Sequence, residues 1–167
     1  MGPDGCYLCW SKSKRLSVLP QDDLERWCTK DLVDLYAFAD EHEVRQLRNQ
    51  VMATLVMRDD KAPYILDHEE IKYIYSAVPA ISKLCEYTVV RYSFEWDPHW
   101  DNKEGKRTQD LLPSEFTSDL AAMAISKKTN DGRHVEIATL ENICFFHEHE
   151  DEDEAAVCKK LWEKEMK

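Results

Sequence analysis

Glycine is scarce in this chain, with four among 167 residues, at positions 2, 5, 105 and 132. Glycine supplies the positive-φ positions of tight hairpins and the close backbone approach of phosphate cradles. Its scarcity argues against a β-rich fold and against a GxGxxG or P-loop nucleotide site. Nowhere does an apolar run approach the roughly 18 residues that a membrane-spanning helix needs. The N-terminal stretch also lacks the uninterrupted apolar centre of a secretion signal. The chain therefore reads as soluble and intracellular, cytoplasmic or nuclear. HExxH and GxSxG are missing, no serine has an evident base, and nothing separates the many carboxylates into acid and base, so no enzyme is expected. The single histidines His42, His68, His99 and His134 read as surface or core residues.

Positive charge is also in short supply. Asp and Glu outnumber Lys and Arg by 33 to 22, a formal net charge of −11. A surface of that sign repels phosphate backbones and anionic lipid. The small basic clusters at Lys12, Lys14 and Arg15 and at Lys103, Lys106 and Arg107 carry no interleaved aromatics and read as solvated surface. Neither nucleic acid nor membrane is expected as a partner.

What is present suits one helical core. Apolar residues make up 43% of the chain and charged residues 33%, enough to fold a single domain under a heavily charged surface. The organising stretch is residues 31 to 56. Leu32, Leu35, Tyr36 and Ala39 fall at i, i+3, i+4 and i+7, and Val44, Leu47, Val51 and Leu55 repeat the helical period after a charged corner at Asp40, Glu41, His42 and Glu43. So short a corner makes the two helices neighbours in a hairpin. The polar run from Met57 to Pro63 is expected to end the second helix. Asp67 with Glu70 has the spacing of a capping box for a helix through Ile71, Ile74 and Tyr75. Residues 80 to 95 read as helix, although Thr88-Val89-Val90 also suits a strand. After a polar loop, Pro113 opens another helix whose stripe is Phe116, Leu120, Met123, Ala124 and Ile125.

The string from Leu32 to Asp40, with Val44, Leu47-Arg48-Asn49, Val51 and Leu55 after it, resembles the helical hairpin that closes a BTB/POZ domain, particularly in the divergent BTB proteins of fungi. The likeness continues more loosely through Trp96-Asp97-Pro98 and Leu112-Pro113-Ser114-Glu115-Phe116. It implies a mainly α fold, a helical hairpin followed by further short helices. The strand-helix-strand-strand opening of a complete BTB domain has no counterpart here, so a truncated or reduced relative is expected. Residues 1–30 would be a remnant segment, 31–146 a helical domain (the hairpin at 31–56, downstream helices over 67–127), and 147–167 an acidic tail. The implied function is non-enzymatic binding of other proteins, as a homo-oligomer or as an adaptor for a cullin-type ubiquitin ligase. Tyr36, Phe38, Trp96 and Trp100 are the candidate partner-binding anchors, since aromatics dominate interface energetics; each fits a core position as well.

Six cysteines, at 6, 9, 28, 85, 144 and 158, occur in a chain with no export signal, so they read as reduced thiols or metal ligands. Cys6-x2-Cys9 lacks the βαβ context of a redox motif and reads as part of a helix fragment. Cys144, His147, His149 and Cys158 form a C-x2-H-x-H-x8-C string, and a comparable string recurs near the end of many fungal BTB proteins. Two readings stand side by side. In one, Cys144 to Phe146 pack on the core and the following acidic run is solvated; no cofactor is then required. In the other the four side chains hold zinc, which takes thiolates and imidazoles tetrahedrally, and the chain is a small zinc-binding regulatory protein.

Overall fold

The computed structural model describes residues 27–61, 66–95, 111–129 and 143–165. Those residues are mainly helical, with no strand among them. The first helix, α1 (Thr29–Glu41), starts from Cys28, whose thiol accepts from the Asp31 amide. It buries Leu32, Val33, Leu35, Tyr36 and Ala39 along one stripe, the face that the apolar spacing demands.

The corner after α1 is a left-handed stop. Glu43 has φ of 54°, the Val44 amide reaches the Ala39 carbonyl at 2.7 Å, and the Glu43 amide reaches Asp40 at 3.1 Å. That pair of bonds is the Schellman pattern, with a glutamate where glycine is usual. It returns the chain directly into α2 (Arg45–Lys61), so α2 packs antiparallel along α1. The helix does not stop after Leu55, as the polar composition of 57–63 suggests. It continues to Lys61 because Asp59 is drawn into the core, where the Tyr87 hydroxyl donates to it at 2.7 Å and Arg58 pairs with it at 2.8 Å. A buried carboxylate with those partners holds the last turn of α2 in place.

Helix α3 (His68–Ala77) begins with the expected capping box. Asp67 accepts from the Glu70 amide at 2.8 Å and Glu70 accepts from the Asp67 amide at 3.0 Å. Ile71 and Ile74 are buried, and Tyr73 and Lys30 both bond Asp34, tying α3 to α1. Helix α4 (Lys83–Glu95) is the most enclosed, with Leu84, Cys85, Tyr87, Thr88, Val89, Val90 and Tyr92 all buried. The β-branched run sits in helix because the Thr88 hydroxyl donates to the Leu84 carbonyl at 2.8 Å, which satisfies its only buried polar group internally. Helix α5 (Ser114–Thr129) inserts Phe116 edge-on between Tyr75 and Tyr92. Leu120 and Met123 lean on the same core while Ala124 is exposed, so the stripe is narrower than its sequence spacing suggests.

The chain then returns to the hairpin. A short 3-10 turn (Ile143–Phe146) packs against α2 and α4, and α6 (Glu152–Glu165) follows it. Phe146 is fully buried, edge-on to Tyr87 at 5.1 Å. The segment grouped by composition as an acidic tail thus carries a helix and a core residue's immediate neighbours. Asp151 accepts from the Glu154 amide at 2.7 Å, and Glu152, Asp153 and Glu154 occupy the first turn, the end of a helix where negative charge is favourable. No helix among the described residues is long and apolar enough to cross a membrane.

Candidate metal centre

The 3-10 turn and α6 bring distant ligands to one place. Phe146 anchors the turn in the core, which puts Cys144 two residues before it and His147 one residue after it at the core's edge. Cys158 comes from the second turn of α6. One ligand atom each from Cys144, His149 and Cys158 lie within 4.8 Å of one another, all three residues half-buried. His147 meets the group through Cys158, with Nδ1 3.2 Å from Sγ, and its ring lies 6.1 Å from that of His149. All four residues of the sequence string are therefore at one site, three as a tight group and the fourth in contact with it.

The electrostatics of the site suit a cation that brings its own charge. Burial, reinforced by the neighbouring His149, pushes the His147 imidazole down to about 4, against a weak opposing pull from the Asn49 backbone, so the ring is neutral at ordinary pH. Burial likewise pushes the Cys158 thiol up to about 12, helped by its bond with Cys144 and by the Cys144 and Glu154 charges. The Nε2 atoms of both His147 and His149 are buried without a hydrogen-bond partner, an arrangement that costs stability unless something accepts their lone pairs or protons. Two thiolates and two neutral imidazoles would exactly offset a divalent charge, leaving a neutral centre that tolerates partial burial.

One side of the site is lined by arginine–carboxylate pairs, and the sequence reading gives Arg48 and Asn49 a place only in the hairpin likeness and Arg45 none. Arg48 of α2 grips both carboxylate oxygens of Glu148, one at 2.7 Å. Asn49 donates to the Glu148 carbonyl at 2.9 Å and accepts from the Glu148 amide at 2.8 Å. Arg45 forms a fork with Glu154, at 2.9 and 3.1 Å, and reaches Glu150 at 3.0 Å. In the sequence Arg45, Arg48 and Asn49 sit off the apolar stripe of α2, the last two also within the hairpin string, and neither feature points to their partners about a hundred positions downstream.

The proposed aromatic anchors divide differently. Tyr36 is fully buried in the core and is not a rim residue, because the α1 stripe turns it inward beside Leu32 and Val33. Phe38 is on the surface, stacked obliquely against His42 at 4.3 Å. Trp96, Trp100 and the Cys6-x2-Cys9 pair lie outside the described residues.

Comparison of the chain with protein-family models, with curated proteins and with solved structures finds no match in any of the three.

Proposed function

We propose that the chain is a non-enzymatic protein-interaction module of BTB/POZ-like type whose C-terminal segment is closed on itself by zinc, held by Cys144, His147, His149 and Cys158. The observation that carries the zinc assignment is the grouping of Cys144, His149 and Cys158, from a turn and from a separate helix, at one half-buried point, with His147 in contact with it through Cys158. Thiolate and imidazole donors in equal number are the set that zinc takes in tetrahedral structural sites. Four protein ligands leave no open position for water or substrate, so the ion's role is to hold structure. The interaction assignment is supported by the likeness of residues 31 to 56 to the BTB hairpin, and Phe38 is its surface anchor on α1.

Elemental mass spectrometry of the purified, reduced protein tests the zinc assignment, and native mass of the same preparation reads oligomeric state. The expected result is one zinc per chain, lost in Cys144→Ala and His147→Ala and retained in Cys28→Ala. A folded preparation without zinc that takes up none on addition rejects it.

A further inference from the structure

The residue between the two histidines of the site, Glu148, is held more tightly than its neighbours. Its amide and its carbonyl are both bonded by the single side chain of Asn49, and its carboxylate is gripped by the Arg48 fork. Arg48 is itself fixed on α1, donating to the Ala39 carbonyl at 3.3 Å and lying 3.7 Å from Asp40. On the preceding side the turn is pinned by Phe146 in the core. The backbone that carries His147 and His149 is therefore set by α2 through bonds to the one residue they flank. A His-x-His turn left free would have to be ordered by the ion itself, whereas one held beforehand presents its imidazoles at fixed positions.

We infer that Arg48 and Asn49 are positioning residues of the metal centre, orienting its two imidazole ligands through the backbone and carboxylate of Glu148. This rests on the zinc assignment above. It makes the hairpin part of the site: α2 contributes no ligand, yet it sets how well the C-terminal segment binds the ion. Groups that orient metal ligands without touching the metal change affinity by about 10- to 100-fold when removed.

The test uses the full-length reduced protein and the Asn49→Ala and Arg48→Lys variants, with zinc affinity read by competition against a chromophoric chelator. Cobalt(II) substituted at the site reports ligand geometry through its visible absorption bands. Asp67→Ala, which removes the capping box of α3, serves as a control for general destabilisation; a folded protein's intrinsic affinity is insensitive to its margin of stability. The expected result is zinc binding weakened by about 10- to 100-fold in Asn49→Ala, with an altered cobalt spectrum, and unchanged binding in Asp67→Ala. Arg48→Lys keeps the charge and loses the fork, so it weakens binding in the same direction while leaving the fold intact. Stoichiometric zinc in the parent protein with affinity and cobalt spectrum unchanged in both variants overturns the positioning role and leaves the zinc assignment standing. A parent protein that binds no zinc overturns both.

Discussion

Replacing Phe146 by alanine removes the side chain that, among the described residues of the C-terminal segment, is the one fully buried in the core. The ring meets Tyr87 edge-on at 5.1 Å and is flanked by Phe145 at the same separation. Truncating a buried phenylalanine costs about 3–5 kcal/mol, and the edge-to-face contact with Tyr87 places the expected loss in the upper part of that range. For a chain of this size such a loss lowers the thermal midpoint by roughly 6–20 °C. Part of the loss will appear locally, because residues 143–165 can detach while α1 to α5 keep their mutual packing. Denaturant titration of the metal-free protein gives the global figure, and amide exchange over 143–165 gives the local one. Phe146→Leu retains most of the volume and is expected to lose only about 1–1.5 kcal/mol. A loss under about 1 kcal/mol in Phe146→Ala, with exchange protection over 143–165 unchanged, would refute the claim that this ring anchors the segment.

Glu43→Gly relieves a left-handed position at the α1 stop; a gain of about 0.5–1 kcal/mol is expected in denaturant titration, since glycine's greater freedom when unfolded offsets part of the relief. Tyr87→Phe removes the hydroxyl that donates to buried Asp59, and a loss of about 1–3 kcal/mol is expected because the carboxylate loses a donor it cannot replace with water. Burial acts to raise the Asp34 carboxyl, but the hydrogen bonds from Lys30 and Tyr73 outweigh it and hold the group below its usual range. Its contribution is therefore present above that range and lost as acid protonates it in the folded state. The stability difference between the parent protein and Asp34→Asn should accordingly be largest near neutral pH and shrink toward zero in acid, and a difference independent of pH would rule this out.

Much of the helical framework is legible in the residues themselves. The period of Leu32, Leu35, Tyr36 and Ala39, the capping pair Asp67 and Glu70, and the helix start at Pro113 are local signals, and the helices follow them. The end of α2 is not local. Residues 57–61 are polar by composition, and they are helical because a tyrosine 28 positions away reaches Asp59. Tyr36 illustrates the converse, since an aromatic on an amphipathic helix serves equally as core or as rim until its neighbours are known.

The C-terminal site divides along the same line. The sequence by itself determined the ligand types and their order, Cys144, His147, His149 and Cys158, and also allowed a reading without metal in which Cys144 to Phe146 pack on the core and the acidic run after them is solvated. The tertiary structure decided that the string closes on itself: Phe146 is buried against Tyr87, α6 starts at Glu152 and carries Cys158 back, and Arg45, Arg48 and Asn49 hold the intervening acidic residues. Helix periodicity is a property of neighbours three and four positions apart, so it is written in the local sequence. A clamp between residues 99 positions apart depends on how the hairpin and the returning segment pack, and no local pattern encodes that distance.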